Sequence, residues 1–178
     1  LVPLIKRADI LVEQFRPGVM DRLGLSDACL RERNPKLIIA SGSGYGSSGP
    51  YRDYPAMDVT VQAMAGVLAV TGLPDGSPVK AGPAVSDFFG GIHLYGAIVT
   101  ALYRRATTGV ASSVEVSMMS SVYPSLLSNL GLAERGATTT RRTGNRHGGL
   151  NMAPYNVYLT ADGAIAILSV TEAHWLAT

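Results

Sequence analysis

Cysteine is almost absent from this chain. Cys29 is the only one in 178 residues, so no disulfide can close within it and no thiolate pair is available to found a zinc site. That usage fits a reducing compartment. Cytoplasm is therefore the expected location, although a mitochondrial matrix would leave the same trace. His93, His147 and His174 are scattered without metal-ligand spacing, so no metal is expected. An excess of charge of one sign is also missing. The net charge is +2 and charged residues make up 16%, which gives no electrostatic footing for nucleic acid. The one basic concentration, Arg135, Arg141, Arg142 and Arg146, reads as a solvated loop. Long apolar runs are lacking too. The longest candidate, around 84–103, is interrupted by Ser86, Asp87, His93 and three glycines, so no membrane span is expected. There is no signal-peptide pattern, internal repeat or low-complexity segment. Nor is there an initiator Met. The chain opens in what reads as a helix end (Leu4-Ile5-Lys6-Arg7) and closes as a helix starts (Glu172 to Trp175), so a fragment of a longer protein is expected.

What is present is a core. Hydrophobic residues make up 47% of the chain, enough for a globular domain. Ala8 to Phe15 reads as a buried strand ended by Arg16-Pro17-Gly18, and Met20 to Leu25 as a helical turn stopped by Gly24. Ser26 is placed to cap a short helix through Arg33, which Asn34-Pro35 terminates. Leu37 to Ala40 reads as a second buried strand. Strand, helix, strand over about thirty residues is a βαβ unit, and predicts an α/β fold with an open parallel sheet covered by helices.

Ser41 to Pro55 is a long loop with four glycines and two prolines, a length usually tied to function. Met57 to Thr71 shows helical spacing through Met57, Val61, Met64 and Leu68. Gly72 to Pro83 is a second turn-rich loop. Ser86 to Arg105 predicts a long helix capped by Ser86. Ser113 to Ser117 alternates as a strand with Val114 and Val116 on one face. Ser117 to Leu132 predicts a helix in which Pro124 is a kink point. Gly136 to Asn151 is a polar loop, and Tyr155 to Leu159 with Ile165 to Ser169 predict a hairpin.

Residue by residue, chemical signals are weak. Gly42-Ser43-Gly44-Tyr45-Gly46 follows a strand, but no Gly-Lys-Ser/Thr follows it, so it is a poor phosphate loop. Ser41, Ser43 and Ser47 lack a nucleophile-elbow pattern. Leu73-Pro74-Asp75-Gly76 is a turn in which Pro presets φ and Gly accepts a positive one. Taken alone, Asp75 is a solvent-exposed turn residue.

Order along the chain adds more. Glu13-Gln14-Phe15-Arg16-Pro17-Gly18 with Asp21-Arg22-Leu23-Gly24, then Tyr45-Gly46 with Gly49-Pro50-Tyr51, then Gln62-Ala63-Met64 with Gly66, lead to Thr71-Gly72 and Asp75-Gly76. Thr108-Gly109 before a Val-x-Val-Ser-Met strand follows, and Thr143-Gly144-Asn145-Arg146 before Ala153-Pro154-Tyr155. This ordered set resembles the class III CoA-transferases, the CaiB/BaiF or formyl-CoA transferase-like family, over nearly the whole chain. Gln14 departs from it, since the family usually has Asn there.

The resemblance implies a Rossmann-like large domain in residues 1–133, a glycine-containing linker at 134–150 and the start of a smaller α+β domain at 151–178. It implies that Asp75 attacks an acyl-CoA thioester and comes to carry CoA as an aspartyl thioester before passing it to a carboxylic acid. It implies CoA contacts from Gln14, Phe15, Arg16, Arg22, Tyr45 and Gly46, and oxyanion donors at Gly148 and Gly149. Coenzyme A would act as co-substrate, with no permanently bound cofactor, and the whole protein would form an interlocked homodimer.

Two other readings stand beside this one. The α-methylacyl-CoA racemase branch of the fold needs an acid and a base across a carbon. Asp87 matches one of its groups, but Met57 precedes Asp58 where that branch has His, and a thioether moves no proton. Asp58 and Asp87 then read as structural, capping helix N-termini. The remaining reading is a catalytically incomplete CoA-binding fragment.

Overall fold

A computed structural model of the chain describes residues 1–136 and 142–177. Contacts gather the chain into two compact units that interleave along it: Leu1–Ala65 with Pro83–Val122, and Gly66–Gly82 with Tyr123–Thr178. In chain order the first stretch holds α1 (Val2–Ile5), β1 (Ile10–Glu13), α2 (Val19–Arg22), α3 (Asp27–Arg33), β2 (Ile38–Ser43) and α4 (Asp58–Ala65). Then α5 (Val67–Val70) belongs to the second unit, and α6 (Val85–Thr108), β3 (Ser113–Ser117) and α7 (Met118–Val122) return to the first.

The first unit is built on a three-stranded parallel sheet in the order β1-β2-β3, with Ile10 opposite Ile38 and Ile39 opposite Ser113. This is the expected parallel α/β arrangement. Alternation sorts the side chains between two faces. Leu11 and Ile39 share one face and pack with Ile5, Leu25, Leu30 and Leu37. Ile38 and Ala40 point to the other, where a Cβ on Gly42 would lie 3.5 Å from Leu94 of α6. The sheet is thus covered by α3 on one side and α6 on the other. Leu30, Leu37, Ile38 and Ile39 are fully buried, and each stabilises the fold by about 1.5–3 kcal/mol through the surface it removes from water.

Local chemistry sets the element ends. The Ser26 hydroxyl accepts the Cys29 N–H at 3.3 Å, as expected of an N-cap. Asn34 turns extended ahead of Pro35, and its amide donates to the carbonyls of Ile5 and Ala8, both at 2.9 Å. Arg105, near the end of α6, donates to the Asp9 carboxylate at 2.9 Å and the Lys36 carbonyl at 2.7 Å. That anchors the helix at the N-terminal edge of the sheet.

Three expectations change. The helix expected over Met57 to Thr71 breaks at Gly66, whose φ of 95° leaves the right-handed region. The inner face of α4 is Val61, Gln62 and Ala65, so Met57 at 70% exposure and Met64 at 40% are not core. Ser86 does not cap α6. It lies inside the helix, buried, and its N–H donates to the Asp58 carboxylate at 2.9 Å. Pro124 does more than kink its helix. The chain passes from α7 into a 3-10 turn at Tyr123–Leu126 and then into α8 (Leu127–Glu134). By length and composition α6 also reaches the dimensions of a membrane span, its polar interruptions included. Here it packs on β2, β3, α4 and α7.

In the second unit, β4 (Tyr155–Leu159) and β5 (Ala164–Leu168) pair antiparallel with Tyr155 opposite Leu168, forming the expected hairpin. Its turn closes by Thr160 N–H to the Gly163 carbonyl at 3.0 Å. Then α9 (Glu172–Ala177) follows. The loop expected over Gly136 to Asn151 is irregular across 142–151; residues 137–141, Arg141 among them, lie outside the described residues.

Candidate active site

In the first unit a cleft of about 870 Å³ opens at the C-terminal ends of β1 and β2, the edge at which open parallel sheets bind ligands. Gln14, Phe15, Arg16 and Tyr45 line it, together with Arg52 and Asp87. Gln14 leaves β1 beside Gly42, where a Cβ would sit 3.3 Å from its side chain. Phe15 is not the core residue its strand-end position favours. It is exposed, with its N–H on the Glu13 carboxylate at 2.9 Å. Gly44 has no room for a side chain, because a Cβ there would stand 2.0 Å from that of Ala56. This contact brings the segment before α4 against the cleft. Tyr45, Tyr51 and Tyr54 form a tilted and edge-on cluster with centroids 5.2–6.5 Å apart, a geometry aromatic quadrupoles favour.

Gly46 lines a neighbouring hollow of about 430 Å³ with Tyr45, Ser47, His93 and Glu115. Its N–H donates to the Ser43 hydroxyl at 2.9 Å. Arg22, at the end of α2, lines neither cavity; its guanidinium lies beside Gly18. Of the six residues to which the resemblance gave CoA contacts, four therefore share one cleft and a fifth adjoins it.

Asp58 has a structural role here. One carboxylate oxygen takes the Ser86 N–H and the other the Gln62 amide at 2.7 Å. Asp87, in the first turn of α6, is exposed and faces the cleft, as does Met57.

Asp75 belongs to the second unit. Gly76 N–H donates to the Leu73 carbonyl at 3.1 Å, closing the expected turn over Leu73-Pro74-Asp75-Gly76. Asp75 is exposed, and its carboxylate takes no hydrogen bond or ion pair from the described residues. In the same unit Gly148 approaches Asn129 of α8 so closely that a Cβ would meet its side-chain oxygen at 3.0 Å. The Gly149 N–H donates to Nδ1 of His147 at 3.1 Å, and the His147 ring meets Tyr155 edge-on at 5.3 Å. Among the described residues, no hydrogen bond uses the Gly148 N–H.

Sequence reasoning passed over two residues. Glu115 of β3 accepts from the Ser47 hydroxyl at 2.7 Å and from the Ser47 N–H with its other oxygen, and so pins the glycine loop. A charge at an outward position of a strand is ordinary, which is why it gave no signal. Arg142, read as a solvated loop cation, donates instead to three carbonyls around the Asp75 turn.

The chain resembles several characterised proteins. It is 42% identical over 165 residues to the acetyl-CoA:oxalate CoA-transferase of Acetobacter aceti, covering 92% of this chain and 42% of that one. It is 37% identical over 165 residues to the succinate–glutarate CoA-transferase of Agrobacterium fabrum, covering 92% and 40%. Among solved structures, a CaiB/BaiF family protein from Brucella suis superimposes with a TM-score of 0.82 at 33% identity, over 94% of this chain and 44% of that one. A Mycobacterium tuberculosis protein in an orthorhombic crystal form gives 0.83 at 32% identity, over 99% and 45%. The chain thus spans about two-fifths of the length of these curated relatives. The profile of CoA-transferase family III matches residues 1–178, and the chain belongs to that family.

Proposed function

We propose that the protein carrying this chain transfers CoA from an acyl-CoA to a carboxylic acid, with Asp75 as the nucleophile. The observation that carries the proposal is an exposed carboxylate, without a hydrogen bond or ion pair among the described residues, at the tip of a closed turn, in a chain whose relatives are named for CoA transfer to or from dicarboxylates. One Asp75 oxygen attacks the thioester carbonyl, the C–S bond breaks, and CoA leaves as thiolate. The thiolate attacks the aspartyl carbonyl of the mixed anhydride and expels the donor acid as carboxylate, leaving aspartyl-CoA. An acceptor carboxylate then attacks that thioester, giving a second anhydride and thiolate. Attack of the thiolate on the acceptor carbonyl frees the new acyl-CoA and restores Asp75. No net proton moves, and one hard exchange becomes four easier ones.

In this reading Gln14, Phe15, Arg16 and Tyr45 hold the CoA chain in the first unit's cleft. Arg16 and Arg22 face its phosphates, which suit a guanidinium fork. Gly46 gives close backbone approach. Gly148 and Gly149 supply oxyanion donors, with the Gly149 N–H first leaving His147. Residues 1–133 form part of the large domain, 134–150 the linker and 151–178 the beginning of the small domain. The protein is cytoplasmic, a location with which the single cysteine of this chain is in keeping. Its partner is a second copy of itself. The support is an exposed apolar stripe on α6, Phe88, Ile92, Tyr95 and Val99, spaced in the four-three-four steps of a self-pairing helix.

The test is trapping. The full-length protein is incubated with acyl-CoA donors, quenched with hydroxylamine and mapped by mass spectrometry. A hydroxamate on Asp75 is the expected result. An unmodified Asp75, with α-proton exchange into deuterated water, overturns the reading in favour of proton transfer, for which the cleft position of Asp87 is the specific observation.

A further inference from the structure

Arg142 is half-buried, and each nitrogen of its guanidinium donates to a backbone carbonyl. Nη2 donates to Gly76 at 2.5 Å, Nε to Leu73 at 3.3 Å and Nη1 to Ala69 at 3.4 Å. The last is in α5, at the C-terminal end that favours a cation. Two residues on, the Gly144 N–H donates to the Gly72 carbonyl at 3.2 Å. A Cβ on Gly144 would lie 3.6 Å from Pro74 and 3.7 Å from Leu73. Between these two contacts, buried Thr143 ties its hydroxyl to the Arg146 carbonyl at 2.8 Å. Residues 142–144 therefore form a brace against the turn, with its own internal bond.

The acceptors bracket Asp75. Leu73 and Gly76 carry the carbonyls on either side of it, and Pro74 has its φ fixed by the ring. A trans amide held at its oxygen is held in its whole plane, so two of the peptide planes around Asp75 are set by a single side chain. Three carbonyls reached by three nitrogens of one plane call for Arg. A lysine ammonium on a flexible stem lacks that fork. No carboxylate among the described residues pairs with Arg142, and its directed interactions are with two carbonyls of the turn and one of α5 just before it.

We propose that Arg142 is a positioning residue for Asp75, fixing the backbone that presents the carboxylate to the thioester. This rests on the reading of Asp75 as nucleophile. Its effect is on the orientation of the attacking oxygen, and not on affinity for CoA.

The test uses the full-length protein and two variants, Arg142→Ala and Arg142→Lys, read by kcat, by KM for acyl-CoA and by the rate of hydroxamate formation on Asp75. Misplacement of a reacting group by an ångström costs on the order of 100-fold in rate, so R142A is expected to lose about that factor in kcat and in labelling rate, with KM little changed. R142K is expected to recover only part of the loss. A wild-type protein that is never labelled at Asp75 removes the nucleophile reading on which the proposal stands. Labelled wild-type with R142A reacting at the same rate overturns the positioning role alone. So does a raised KM at unchanged kcat, which would make Arg142 a CoA contact. Where R142A loses its fold by circular dichroism, R142K decides: reduced kcat at unchanged KM supports the proposal, and wild-type kcat overturns it.

Discussion

Gly44 shows how little tolerance the cleft has at a single atom. The position that a Cβ would take stands 2.0 Å from the Ala56 Cβ, well inside van der Waals contact. Gly44→Ala must therefore push Ala56 and its segment outward. Overpacking of this kind costs about 1–3 kcal/mol, and thermal melts of the full-length protein should show the fall. An unchanged melting temperature would mean that the segment before α4 yields freely. Asp75 and Arg142 differ in legibility at this same scale. The Pro-Asp-Gly sequence announces a turn whatever surrounds it. Arg142 carries no such local mark, because the three carbonyls it binds lie 66 to 73 residues away and a basic residue in a polar loop looks solvated.

Elements were legible where their causes are local. The β1-α3-β2 unit, the Ser26 cap and the hairpin all follow from alternation, capping residues and turn chemistry within a few positions. The N-terminus of α6 did not. Ser86 has the right chemistry for a cap, but the acceptor that serves the helix comes from Asp58, 28 residues upstream. The same carboxylate orients Gln62, which is fully buried. Asp58→Ala is expected to cost about 0.5–2 kcal/mol, the range for loss of a helix cap, read as a lower denaturation midpoint, while Asp58→Asn should keep most of the stability. Equal loss in both variants would point to the charge and not to the hydrogen bonds. The break at Gly66 was likewise hidden, since an apolar period continues across it and only the positive φ reveals that α4 and α5 are separate.

At the scale of the whole molecule, the outer face of α6 bears on assembly. Phe88, Ile92, Tyr95, Val99 and Tyr103 are all exposed. Sedimentation of the full-length protein should give a dimer, and Ile92→Glu should shift it toward monomer. An unshifted dimer would place the contact elsewhere. The two compact units interleave along the chain, so that Gly66–Gly82 joins residues beyond Tyr123. This has a consequence during synthesis. The turn bearing Asp75 leaves the ribosome about seventy residues before Arg142 does, a delay on the order of several seconds at ordinary translation rates. Over that interval the nascent chain has a carboxylate turn without its brace, while β1 and β2 are already made and can pair with each other, and β3 follows to complete the sheet. The final geometry around Asp75 is thus a late event in biogenesis, completed only after translation has moved past the first unit.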